Sequence, residues 1–261
     1  MIQGKSALIT GSSRGIGLAV AERLAAGGCN VVLNGIEDDA EGNALAHNLT
    51  ARFGVRASFD SADVGDTAQV ERLVGRAIET FGGVDILVNN AVTRVFGLVE
   101  ETPPADWDHA LAVNLSSAYN TIRLCLPGMK ARNWGRIINM SSIYGQRGAP
   151  GRVTYVTAKT ALIGLSRAVA AECTDFDITC NALCPGATET PAAVGRIEAS
   201  MAADGIDRDE ATKRFLAGKN PTGAFITSES VAEYCTFLCG PAGGDINGAV
   251  LAMDAGWSGG S

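Results

Sequence analysis

A single-domain α/β fold, with a doubly wound parallel sheet of Rossmann type covered by helices on both faces, is predicted by three features of the chain. Short β-branched apolar runs alternate with longer segments whose apolar residues recur every three or four positions. A glycine-rich turn follows the first run directly, and no window reaches the roughly 18 apolar residues of a membrane span. Alternation of this kind produces parallel strands joined by crossover helices, and 261 residues suffice for one such domain.

In chain order the runs are SALIT (6–10), NVVLN (30–34), RASFD (56–60), VDILVNN (84–90), RIINMS (136–141), ITCNALCP (178–185) and AVLAM (249–253), read as about seven strands. Segments such as AVAERLAAGG and QVERLVGRAIETFGG between them have the helical spacing of crossovers. Residues 188–220, TETPAAVGRIEASMAADGIDRDEATKRFLAGKN, break the rhythm with a charged, amphipathic, helical pattern. A long insertion at a strand's carboxyl end is expected to act as a substrate lid on one domain spanning 1–261.

Charge and composition narrow the function. A net charge of −7 and a pI near 4.9 disfavour nucleic acid, whose phosphates require a concentrated basic surface. No basic run is present. The N-terminus carries no signal-peptide pattern, so no membrane partner and a cytoplasmic location are expected. The seven cysteines lack CxxC spacing and a histidine partner, which points to buried thiols rather than zinc. His47 and His109 lie in helix-like polar contexts, so neither a metal site nor a histidine triad is expected.

The turn TGSSRGIG spaces Gly11, Gly15 and Gly17 as G-x3-G-x-G between the first strand and a helix, with Ser13, Arg14 and Ile16 in the same turn. Glycines let backbone approach a pyrophosphate, and the helix start supplies free N–H groups and a positive dipole end. Such turns also serve packing alone; the position after the first strand favours a dinucleotide. Asn34 ends the second strand and is followed by Glu37, Asp38, Asp39 and Glu41, with no basic residue between Arg23 and Arg52. A ribose 2′-phosphate would find acidic neighbours there, which favours NAD over NADP; Arg14 is the counter-argument. Asp63 and Val64 follow the third strand where an adenine could rest, although Asp63 reads equally as a helix cap. Asn89 and Asn90 stand at the carboxyl edge of the fourth strand, where ligands bind. In RVTYVTAKTA, Tyr155 and Lys159 are four apart and share a helix face, close enough for an ammonium to act on a phenol.

TGSSRGIG, NNAV, Asn114 in VNLSS, Ser142 in NMSSIYG, the Tyr155 and Lys159 pair, and NALCPGATET occur in this order at spacings that resemble the short-chain dehydrogenase/reductase family over essentially the whole chain. The resemblance implies a catalytic tetrad of Asn114, Ser142, Tyr155 and Lys159. It selects Ser142 over Ser141 by the thirteen residues that separate it from the tyrosine. It also implies cofactor contacts at Pro185, Gly186 and Thr188, and a homotetramer. A free tyrosine ionises at about 10, and an adjacent ammonium with the nicotinamide charge favours the phenolate, so Tyr155 would be base in oxidation and acid in reduction. Ser142 would hold the reacting oxygen, Lys159 would also serve the cofactor ribose, and Asn114 would anchor a water. Val92 departs from the family, which has glycine after NNA.

The NG after the second strand, the run RIEASMAADGIDRDEATKRFLAGKNP and the terminal MDAGW resemble the hydroxybutyrate dehydrogenase branch. There a hydroxy acid's carboxylate is held by a glutamine, a histidine, a lysine and a second glutamine; the matching positions here are Arg94, Tyr144, Arg152 and Arg196. Three guanidinium groups offer paired donors to an oxyanion, so the expected substrate is small and anionic: a hydroxy acid, a sulfonate or an acidic sugar. Tyr144 and Trp257 would line an apolar or sugar-facing wall. An oxoacyl-carrier-protein reductase-like role and a non-catalytic nucleotide-binding regulator are the rival readings.

Overall fold

The computed structural model describes residues 2–259. Seven strands form one parallel sheet in the order β3-β2-β1-β4-β5-β6-β7. They are β1 (Ser6–Ile9), β2 (Asn30–Asn34), β3 (Ala57–Asp60), β4 (Ile86–Asn89), β5 (Gly135–Met140), β6 (Ile178–Pro185) and β7 (Val250–Met253), each overlapping the run that predicted it. Every residue of β1, β4, β5 and β6 is buried, because helices cover both faces of a parallel sheet. Successive side chains serve opposite faces: Ile9 joins the core under α1 (Gly15–Ala26), α2 (Asp39–Phe53) and α9 (Ser228–Cys239). Leu8 joins the core under α3 (Thr67–Phe81), α5 (Ser117–Arg132) and α6 (Val153–Ala171).

Strand order reverses between β1 and β4, so a crevice opens at their carboxyl ends. Local chemistry sets the helix starts around it. Asp38 caps α2 by accepting from the Ala40 and Glu41 N–H groups at 2.9 Å each, and Asp66 caps α3, accepting from Ala68 at 2.8 Å. Asp63 is therefore not the cap; its Oδ1 accepts from the Gly65 N–H at 2.8 Å and shapes the turn instead.

Residues 188–220 fold as two helices, α7 (Pro191–Asp204) and α8 (Arg208–Leu216); α4 (Pro104–Leu111) precedes α5. Buried Asn220 ties both ends of the excursion together. Its Nδ2 donates to the carbonyls of Ala187 (2.8 Å) and Ala224 (2.9 Å), and its Oδ1 accepts from the Ala187 N–H (3.1 Å). All seven cysteines are free and buried, and burial pushes the thiols of Cys29, Cys125, Cys180 and Cys235 up to about 12. Among the described residues no group of metal-binding side chains forms, and no helix is long and apolar enough to cross a membrane.

Candidate active site

The first β-to-α turn depends on close approach. A Cβ on Gly11, which has φ +60°, would meet the Ala91 Cα at 2.7 Å, and one on Gly17 would meet the Gly11 carbonyl oxygen at 2.3 Å. Asn90 clamps the turn from beside β4, its Nδ2 donating to the carbonyls of Thr10 (3.1 Å) and Gly11 (2.7 Å). No side chain caps α1, so its first N–H groups remain available to an anion. Gly11, Ser13, Arg14, Gly15 and Ile16 line one groove with Asn34, Glu37, Asp63, Val64 and Asn90.

Asn34 has a positioning task in this groove. Its buried Nδ2 donates to Asp60 O (3.0 Å) and Ala62 O (2.8 Å), while Oδ1 accepts from Gly11 N–H (3.3 Å). The side chain is used up in joining the ends of β1, β2 and β3, and acts on a ligand only through those loops. Glu37 lies over Gly35 with Oε1 3.7 Å from Arg14 Nη2, and its other oxygen is buried without a partner. Asp38 is committed to its cap, so Glu37 is the acidic side chain of this stretch that lines the groove.

The second part of the crevice is a cavity of about 430 Å³. Helix α6 presents Tyr155 and Lys159 along one face, with Lys159 Nζ 5.6 Å from the centre of the tyrosine ring. Lys159 is 2% exposed and donates to Met140 O at 2.7 Å. Burial first, then the Arg94 charge, push its pKa down to about 7, with Cys184 opposing weakly. The two serines divide their work. Ser141 donates to the Lys159 carbonyl at 2.7 Å and so fixes α6 to β5, whereas Ser142 accepts only the Tyr144 N–H at 3.2 Å and keeps its proton for the cavity.

Asn114 sits in a single π turn, Ala112–Ser116, between α4 and α5. Such turns interrupt helices where a side chain must be re-aimed. Its Oδ1 accepts from the Thr93 N–H (2.8 Å) and its Nδ2 donates to Thr93 O (3.0 Å), so the side chain holds the loop that carries Arg94. Val92 in that loop has no positive φ, so valine fits without strain where the resemblance led glycine to be expected. The same loop is strapped to the start of α6 by Gly97 N–H donating to Gly151 O at 3.2 Å.

Arg94, Arg152 and Arg196 all line this cavity beside Ser142, Tyr144, Tyr155 and Trp257, together with Pro185, Gly186 and Thr188. Tyr144 packs edge-on between Tyr155 (6.3 Å between centres) and Trp257 (5.4 Å). Asp254 seats the tryptophan's turn by accepting from the Gly256 and Ser258 N–H groups. Among the lining residues that escaped the sequence reading are Lys219, Phe96 and Phe215. The single cation after α8 was a usable signal for Lys219; nothing in the local pattern marked the phenylalanines.

A family model described as enoyl-(acyl carrier protein) reductase matches residues 11–258. D-beta-hydroxybutyrate dehydrogenase of Cupriavidus necator is 40% identical over 258 residues, 98% of this chain and 99% of that protein. The protein of the same name from Rhizobium meliloti is 37% identical over 97% of this chain and 98% of its own. Among solved structures, L-sorbose reductase of Gluconobacter frateurii, complexed with NADPH and L-sorbose, superposes with a TM-score of 0.93 at 31% identity, covering 97% of this chain and 96% of that one. A glycine-cradled crevice at the strand reversal, a Tyr and Lys pair on α6 facing a free serine hydroxyl, and relatives aligned end to end all agree: the chain belongs to the short-chain dehydrogenase/reductase family and is an NAD(P)-dependent oxidoreductase.

Proposed function

We propose that the protein interconverts a secondary alcohol and a ketone on a small anionic substrate, with NAD preferred to NADP. One observation carries the substrate class. Arg94, Arg152, Lys159, Arg196 and Lys219 line the cavity beside Ser142 and Tyr155, and among the described residues no aspartate or glutamate does, in a chain whose net charge is −7. Clustered cations without counter-charges repel one another in a desolvated cleft, and a bound oxyanion removes that repulsion.

The groove suits a dinucleotide: the uncapped start of α1 and the close-packed glycine turn suit a pyrophosphate, and the buried, unpartnered Glu37 oxygen suits a ribose hydroxyl. Arg14, the residue available to a 2′-phosphate, is paired with that carboxylate, which supports NAD. The nicotinamide would supply or accept the hydride. Tyr155 gives its proton to the substrate oxygen in reduction and recovers it in oxidation, while Ser142 donates a hydrogen bond to the same oxygen. Lys159 favours the phenolate and serves the cofactor ribose. Asn114 holds Thr93, and through it the Arg94 loop. An anion beside Arg94 offsets the charge that depresses Lys159, so substrate binding and restoration of the ammonium support each other.

Hydride transfer with NADH and NADPH, followed by nicotinamide absorbance across matched neutral and anionic ketones and an oxoacyl thioester, tests this. Faster reaction of the anions with NADH is expected. Preference for neutral ketones, for the thioester, or about tenfold for NADPH would overturn the corresponding part.

A further inference from the structure

We propose that the substrate carries two separate anionic groups, one beside the reacting carbon and one at its far end, and that Lys219 holds the far group together with Arg196 and Arg152. The inference rests on the reading of the cavity as an anion site and sharpens it.

The cations form a row linked by shared aromatic rings. Arg94 Cζ lies 5.7 Å from the centre of the Tyr155 ring, next to the reacting position. Arg152 stands 5.0 Å from both Tyr144 and Phe96. Arg196 follows at 5.7 Å from Phe96 and 5.0 Å from Phe215, and Lys219 Nζ ends the row 3.8 Å from Phe215. Each ring attracts the cations over it, and Arg94 and Lys219, at the two ends, share no ring: a ligand group beside Tyr155 meets Arg94, and one beside Phe215 meets Lys219.

Their mutual influence gives the same order. Lys219 is pushed down to about 8 by burial, then by Arg196 and Arg152, without a contribution from Arg94. Arg94 acts on Lys159 at the catalytic end and, after burial and Arg152, on Arg196 in the middle of the row, so that Arg94 and Lys219 are the two ends that do not act on each other. Among the described residues none of Arg94, Arg152, Arg196 and Lys219 has a carboxylate within 4.0 Å. A single carboxylate has two oxygens and engages at most two guanidinium forks fully, which leaves the other end of the row uncompensated. Two anions at its two ends balance it, and a cavity of about 430 Å³ admits a molecule of that size.

Lys219 Nζ also donates to the Phe215 carbonyl in the last turn of α8. Closing that helix end is therefore the competing role, and the test has to read ligand charge as well as folding.

Calorimetry on the complex with oxidised NAD and four five-carbon ketones separates these possibilities, and because the oxidised cofactor has no hydride to give, it reads binding without turnover. The set is neutral 2-pentanone, 2-oxopentanoate with its carboxylate beside the carbonyl, 4-oxopentanoate with its carboxylate at the far end, and 2-oxopentanedioate with both. The dianion is expected to bind at least about tenfold more tightly than either monoanion, the size of one charge-assisted hydrogen bond. Lys219→Met should remove most of that advantage and weaken 4-oxopentanoate more than 2-oxopentanoate, and Lys219→Arg should restore it. If 2-pentanone binds as well as the anions, or no anion binds, the anion site itself is wrong. If both monoanions outbind 2-pentanone and the dianion gains nothing, the anion site stands and the two-group inference falls. If Lys219→Met lowers the melting temperature but leaves the ligand ratios intact, Lys219 only closes α8 and its assignment to the far group is overturned.

Discussion

Tyr155 and Lys159 show how much a residue's chemistry depends on what lies behind it. Spacing alone put both on one helix face, because i and i+4 side chains stack one above the other. Spacing could not show that Lys159 would be buried against the Met140 carbonyl and repelled by Arg94, since both neighbours come from distant segments. Tyr155→Phe should keep the fold and cofactor binding while lowering kcat by about two to four orders of magnitude, the usual worth of a general acid–base group. Near-normal kcat in that variant would remove the mechanism. Lys159 also makes stability depend on pH. The folded chain releases this proton at about 7, whereas an ordinary lysine in the unfolded chain holds it to about 10.5. The unfolded state binds more protons between those values, so this group's contribution to stability rises with pH across that window. Lys159→Met removes the buried ammonium, so the melting temperature of the variant relative to wild type should be highest near about pH 6 and decline towards about pH 9. A difference that stays constant with pH would contradict the lowered pKa.

At the scale of elements, the strands and crossover helices were legible because burial on both sheet faces demands continuous apolar runs, and helix faces demand three-to-four spacing. Asn34 was less legible. A polar residue at a strand end reads as a ligand contact, yet three backbone groups claim its side chain. The π turn at Asn114 was invisible, because one extra residue in a helix leaves no compositional mark. The excursion at 188–220 was legible as helical; its closure by Asn220 was not, since that asparagine bonds residues 33 positions back. Arg196 and Arg152 belong to different elements, α7 and the start of α6, and should differ in kinetics. Arg152→Ala should mainly raise KM, by the equivalent of about 1.5–3 kcal/mol for a charge-assisted hydrogen bond. Arg196→Ala should raise KM similarly and also lower kcat, if lid closure assembles the site. Equal kcat in the two variants would argue that α7 carries no closing motion.

Over the whole molecule, an excess of acidic residues coexists with a cavity that, among the described residues, is lined by five cations and no aspartate or glutamate. Net charge describes the surface that solvent and partners meet. A ligand entering the cavity meets the local field of side chains drawn from five places: the loop after β4, the turn before α6, α6 itself, α7 and the segment after α8. Three of those cations were visible in sequence by their correspondence to carboxylate-binding positions in a related branch and Lys159 by its spacing from Tyr155; Lys219, which no such correspondence marked, reaches the cavity because the end of α8 folds over it. The most direct test is a crystal structure of the complex with oxidised NAD and an oxo acid such as 4-oxopentanoate, a pair that cannot react. The account predicts the ketone oxygen against Ser142 and Tyr155, with the carboxylate within hydrogen-bond distance of at least one of Arg152, Arg196 and Lys219. A carboxylate turned to solvent, or bound away from all of these cations, would contradict it.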